Sequence, residues 1–217
     1  IALVQGAGVV QNPLYATGNL QVSQREFSLA VPAVGSFFAR DGREVEFSVL
    51  PGADPGWVQL YLNSQVLVAL LHQRKIINFH ASSFVLDGRG VMILGDTGAG
   101  KTSLTLAFAM KGAGFLSDDL TPVIFKDSRP YIWPLNRDVK LREDTVAQLG
   151  ISRDKLKGAE RGTGKQYMEV RPVDVSDCPL HTILKIETGD SHRIEFREPA
   201  AAEKFSLLRS EICSWEI

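Results

Sequence analysis

The chain has 217 residues, 44% of them apolar and 23% charged, with 24 basic against 25 acidic side chains and a formal net charge of -1. That length is enough to bury a core without a disulfide or metal staple, and the balanced charge, with no run of one sign, argues against a nucleic-acid arm or an anionic-membrane patch. Cys178 and Cys213 lie far apart and lack metal-ligand spacing, so both read as reduced packing residues. No apolar run approaches the about 20 residues that a spanning helix needs and no basic-apolar-small signal opens the sequence, so we expect a cytoplasmic location with neither membrane nor nucleic acid as partner.

Residues 1–4, 18–22, 27–31, 36–39 and 44–49 read as strands, with Asp41-Gly42 as a hairpin turn, because Gly tolerates the positive φ that tight hairpins demand. Asp54 followed by Pro55 predicts a helix start: Asp caps free backbone N–H groups, and Pro has none to lose. Leu60, Leu67 and Leu71 then recur at helical spacing through residues 57–72, with a break expected near Asn63-Ser64 and an apolar face joining two parts of the molecule.

Residues 76–86 and 91–94 predict two strands around the turn Asp87-Gly88-Arg89-Gly90. After the glycine-rich stretch that comes next, residues 103–111 predict a buried helix through the pairs Leu104 with Phe108 and Leu106 with Met110, ended by Gly112 and Gly114. Residues 115–125 read as extended, 130–134 as a turn, 168–171, 182–187 and 192–196 as strands, and 203–215 as a closing helix. The expected organisation is a β-rich layer plus helix over 1–75 and an α/β core over 76–217.

The run Gly95-Asp96-Thr97-Gly98-Ala99-Gly100-Lys101-Thr102 satisfies G-x-x-x-x-G-K-[ST] between an apolar strand and a helix, the context in which a P-loop works. Its glycines let backbone N–H groups converge on phosphate oxygens, and the helix start, with Ser103 in its first turn, adds partial positive charge. Lys101 would meet the outer phosphates of ATP, and Thr102 would offer its hydroxyl to Mg²⁺. A P-loop fixes the cofactor and leaves the reaction open.

Asp118-Asp119, after the apolar pair Phe115-Leu116, offers one carboxylate for magnesium and one for a hydroxyl proton. His80 faces the phosphate loop by hairpin register: a two-residue turn at Asp87-Gly88 pairs Leu86 with Arg89 and sets His80 opposite Gly95, and a four-residue turn sets it opposite Thr97. Arg161 and Lys165, in the run from Gly158 to Lys165, are candidates to meet the spread charge of a transferring phosphate, as are Arg137 and Lys140.

Phe79-His80-Ala81-Ser82, the glycine-rich run from Gly95 and Leu116-Ser117-Asp118-Asp119 together resemble the catalytic domain of HPr kinase/phosphorylase and its relatives, a P-loop family related in fold to phosphoenolpyruvate carboxykinase. The resemblance covers residues 76–123. It implies a mixed-sheet P-loop core of that type, with Asp118 as general base on a serine hydroxyl, His80 assisting and Asp119 helping to hold magnesium. Met168-Glu169-Val170-Arg171 is similar to the family's L-E-x-R-G segment, which implies a metal role for Glu169 and sets Arg171 near phosphate, although Pro172 stands where the family has glycine.

HPr kinases carry a larger N-terminal domain than residues 1–75, so the resemblance points to shorter relatives that phosphorylate a serine of a precursor peptide, such as lasso-peptide tailoring kinases. The expected partner is a protein or peptide with an acceptor serine, with homo-oligomers implied by resemblance. The alternatives are HPr serine kinase/phosphorylase activity, a nucleotide-dependent switch without phosphotransfer, and a small-molecule kinase.

Overall fold

The computed structural model describes residues 1–135, 138–170, 173–189 and 193–213. These divide into two compact units: residues 1–77 with 160–164, and residues 78–159 with 165–213. Arg137, Arg171, Pro172, His192 and Trp215 lie outside the described residues.

The first unit contains a sheet of β1 (Ala2–Gln5), β2 (Tyr15–Thr17), β3 (Leu20–Val22), β4 (Glu26–Val31), β5 (Gly35–Arg40) and β6 (Glu44–Val49) in the order β1-β6-β5-β4-β3-β2. Only β1 with β6 is a parallel pair among these ladders. Helix α1 (Pro55–Tyr61) starts as the Asp54-Pro55 signal predicts, with the Gly56 N–H donating to Asp54 Oδ1 at 2.7 Å. It runs through a π-helical turn (Leu62–Val66) into α2 (Leu67–Gln73), where the sequence predicts a break.

The widened turn adds a residue to the helical count and moves the packed face. Trp57, Tyr61, Val66, Ala69 and Leu70 meet Phe27, Phe37 and Val45 of the unit's own sheet, while of the expected stripe Leu71 is buried and Leu60 and Leu67 are half-buried outside that cluster.

The second unit is built on a mixed sheet of β7 (Ile77–Phe79), β8 (Ser82–Leu86), β9 (Arg89–Gly95), β10 (Gly114–Ser117), β11 (Thr121–Lys126), β12 (Arg129–Ile132) and, later in the chain, β16 (Cys178–Ile186). Its order is β10-β8-β9-β16-β12-β11-β7. Helix α3 (Lys101–Met110) follows β9. A small sheet of β13 (Val139–Leu141), β14 (Leu156–Ala159) and β15 (Gln166–Met168), with helix α4 (Glu143–Gln148), sits in the same unit, and α5 (Ala201–Ser210) comes last. Strand β16 runs parallel to β9 and sets Lys185 beside Leu94 and Ile186 beside Gly95, so two parallel strands end together where the glycine-rich run begins.

The structure corrects several sequence expectations. The strand expected over 76–86 breaks at His80-Ala81, where the chain leaves β7 to enter β8. The 130–134 turn is strand β12, because Asp127 and Ser128 adopt φ of 49° and 60° and make the two-residue hairpin turn themselves. The extended run over 115–125 is interrupted by a turn at Asp118-Asp119, and residues 193–196 form no strand, leaving Ile194 and Phe196 exposed without a ladder partner. The closing helix stops at Ser210, after which Ile212 bridges to Phe79. Met110, expected inside, is 60% exposed in the last turn of α3.

Two apolar clusters flank this sheet. Phe84, Ile93 and Ala113 pack with Leu104 and Phe108 of α3, while Phe79, Met92, Leu94 and Ile132 pack with Leu208 and Ile212 at the end of the chain. The Phe84 ring stacks on Phe108 at 4.6 Å and clamps α3 to its strand. Phe84→Ala should therefore cost about 3–5 kcal/mol in urea denaturation; a loss below about 1 kcal/mol would show that the helix is held elsewhere.

Candidate functional site

The glycine-rich run links the end of β9 to the start of α3. Gly95 has a φ of 144°, and a Cβ there would meet Ile186 O at 2.7 Å, so parallel pairing with β16 and the turn out of the strand both require glycine. Gly98 and Gly100 have φ of 91° and 99° with open space where a side chain would stand. Asp96, Thr97 and Gly98 are exposed, and the Ala99 N–H donates to Asp96 O at 3.1 Å to close the turn.

Helix α3 begins at Lys101, two residues before the sequence reading, so Lys101 and Thr102 occupy its first two positions and lie where backbone N–H groups and the helix dipole favour an anion. Lys101 is 7% exposed, its ammonium donating to Gly95 O at 2.6 Å and Asp96 O at 3.3 Å. Burial lowers its proton affinity, and the carboxylates of Glu211, Asp119, Asp118 and Asp96 oppose that. Ser103 turns toward α4, its hydroxyl 3.2 Å from Thr145 Oγ1.

The acidic pair reaches this loop from β10. Thr102 Oγ1 donates to Asp118 Oδ1 at 2.8 Å. Asp119 has a φ of 62° in a tight turn closed by the Leu120 N–H on Asp118 O at 2.7 Å, and its carboxylate pairs with Lys140 at 3.4 Å. Beneath the turn, Ser83, Ser117 and Thr121 form a buried hydroxyl chain with bonds of 2.6 Å and 2.9 Å, anchored by Thr121 on Ala81 O at 3.1 Å. A buried polar network with its bonds made rigidifies the backbone around it.

His80 leaves β7 with its backbone N–H donated to Glu211 O at 2.8 Å. The turn at Asp87-Gly88 has two residues and pairs Leu86 with Arg89, the first of the two registers the sequence allows, and the ladder ends at Ser82 with Ile93 before reaching His80. Burial and the charge of Lys101 hold the imidazole below its usual proton affinity, against the pull of Asp119 and Glu211. A neutral histidine can accept a proton.

The structure thus gathers Lys101, Thr102, Asp118, Asp119 and His80 at the end of β9. Lys165, just before β15, adds a positive charge that lowers the proton affinity of both His80 and Asp118. Glu169 is 69% exposed and pairs with Lys157 at 2.8 Å, and among the described residues no three His, Cys, Asp or Glu side chains converge as a metal cluster. Arg161 belongs to the first unit, where it pairs with Asp54 at 2.9 Å. Glu211 and Lys185, which the sequence reading passes over, form a 3.6 Å ion pair beside this group; Glu211 hides in what reads as the middle of a closing helix.

A magnesium–nucleotide pair fits these residues. The open glycines present backbone to an anion, and the buried Thr102–Asp118 pair offers the hydroxyl and carboxylate oxygens that a hard cation takes alongside water and phosphate.

Asp118 is 6% exposed, and burial, with the adjacent Asp119 charge, pushes its carboxyl up to about 6. The folded chain then keeps a proton that the unfolded chain releases, so this group's contribution to stability is largest below about pH 4 and is lost as pH rises through about 6, a swing of about 3 kcal/mol at most. Asp118→Asn, a neutral stand-in for the protonated acid, should accordingly be more stable than the parent at pH values above about 7 in urea titrations with chelator present, the gap closing near about pH 4. A variant less stable than the parent at neutral pH would contradict this electrostatic account.

No family model matches the chain, and no curated protein matches its sequence. Among solved structures it is similar to the Hpr(Ser) kinase/phosphatase of Coxiella burnetii, with 19% identity and a TM-score of 0.35, over 56% of this chain and 66% of that one. The matched region spans less than two thirds of the Coxiella protein. At so low a score the likeness carries no functional weight, and function has to be read from the side chains themselves.

Proposed function

We propose that this chain is an ATP- and Mg²⁺-dependent kinase that passes a phosphoryl group to a serine hydroxyl of a protein or precursor peptide. The observation that carries the reading is the 2.8 Å bond from Thr102 to Asp118, which ties the start of the glycine loop's helix to the acidic pair. Holding magnesium with nucleotide would need only one carboxylate beside Thr102, and Asp119 follows it as a second one free of that bond, which favours transfer over binding alone. The serine acceptor rests on the resemblance of residues 76–123, and a precursor peptide is favoured over HPr.

Bound ATP with magnesium would supply the phosphoryl group and neutralise part of its charge. Lys101, at the first position of α3, would balance the outer phosphate oxygens, and Lys165 would add a second cation. Geometry favours a division of the acidic pair opposite to the one the resemblance implies. Asp118 is buried and bonded to the hydroxyl that would meet the cation, so it suits the metal side. Asp119, about a third exposed on its turn and within the field of His80, is better set to receive the acceptor's proton, with neutral His80 assisting.

The test is transfer from labelled ATP to serine-containing peptides, with the phosphorylated residue identified by mass spectrometry. Asp119→Asn, which keeps a side chain tolerant of positive φ, should retain Mg-ATP affinity and lose about 10²–10⁴ in kcat. Asp118→Asn should raise the magnesium needed for half-maximal rate. Phosphoserine formed equally by Asp119→Asn and the parent would remove Asp119 from the chemistry, and nucleotide binding without transfer to any acceptor would favour the switch reading.

A further inference from the structure

We infer that Glu211 is a positioning residue of this site, carried in by a strand-like segment after α5 that docks on β7 and holds His80 in place. This rests on the kinase reading for what the held groups do, and on the fold alone for the holding.

Three contacts make the segment an extension of the sheet. The His80 N–H donates to Glu211 O at 2.8 Å, Ile212 bridges antiparallel to Phe79, and the Cys213 N–H donates to Asn78 O at 2.8 Å. Strand β7 stands at one end of the sheet, so this pairing covers a backbone edge that would otherwise be bare. His80 is the last residue before the chain turns into β8, and the Glu211 carbonyl fixes its backbone at that bend.

The side chain of Glu211 adds a second hold. It is 8% exposed, and its carboxylate lies 3.6 Å from Lys185 Nζ. Lys185 stands on β16 beside Leu94, one residue before the position level with Gly95. Glu211 therefore spans from the bend at His80 to the base of the glycine loop. Burying a carboxylate this deep carries a desolvation penalty that a pair at 3.6 Å offsets only in part, so packing alone would be served as well by an apolar residue. A charge at this position makes sense if it acts on the neighbouring groups. Those facing His80 are Lys101 of α3, Asp119 after β10, Lys165 before β15 and Glu211 itself.

The experiment compares the full chain with Glu211→Gln, which keeps shape and backbone bonds but removes the charge, and with the double variant Glu211→Gln/Lys185→Gln, which leaves no ion unpaired should the single variant fold poorly. With any acceptor that the parent phosphorylates, kcat should fall about tenfold or more in both, while KM for ATP stays within about threefold and the melting temperature of the double variant stays near the parent's. Glu211→Asp should restore part of the rate. Parental kcat in the folded variants would overturn the inference and leave the kinase reading standing. If the parent transfers phosphate to no acceptor, the kinase reading fails and the His80 ring signals in NMR decide the rest: a lower titration midpoint in Glu211→Gln supports the hold, and an unchanged one overturns it.

Discussion

The hydrogen bond from Thr102 to Asp118 is the contact on which the rest of the site depends. It joins the first turn of α3 to the turn after β10, elements that the sheet order and the shared core of Leu106 and Phe115 bring together. Everything beneath it serves that alignment. The two parallel strands β9 and β16 end level with each other, so the chain must turn at Gly95 against the Ile186 carbonyl. On the other side, the Ser83–Ser117–Thr121 hydroxyl chain holds the acidic turn from below. Rigid elements carrying the reacting groups, supported by a second layer of satisfied polar contacts, keep such groups where chemistry needs them.

Electrostatics sharpens the picture. Lys101, Asp118 and Glu211 are all nearly buried, and each would be costly alone. They are tolerable because opposite charges share the same region, with Lys140 and Lys185 on its margins. Lys101, His80 and Asp118 all have shifted proton affinities in this one region, the arrangement by which functional sites tune their groups. The helix start at Lys101 biases the balance toward binding an anion, while the carboxylates keep the region from becoming a simple phosphate trap.

Much of this was legible in the sequence, for identifiable reasons. The run from Gly95 to Thr102 announces itself because phosphate cradles demand glycine where φ is positive, and Gly98 and Gly100 lie there. Asp54-Pro55 and Asp87-Gly88 report their cap and turn because each rests on local backbone chemistry. What stayed hidden depends on tertiary pairing. Helical spacing gives no sign that a π-turn at Leu62–Val66 would shift the packed face. The turn at Asp127-Ser128 lacks glycine, so the hairpin around it reads as something else. Glu211 looks like one more charge in a helix until the chain leaves α5 to pair with β7. Glu169 matches a motif by residue type, but its carboxylate is turned to Lys157.

The central claim is that the glycine loop, Lys101 and the acidic pair form one site for a nucleotide's terminal phosphate. The most direct measurement is an experimental structure with magnesium and a non-hydrolysable ATP analogue. The account predicts the terminal phosphate beside Lys101 and a cation shared by Thr102 and Asp118, with Asp119 and His80 facing the phosphate from the acceptor side. A triphosphate seated elsewhere, or held by the loop with both carboxylates turned from it, would contradict the account.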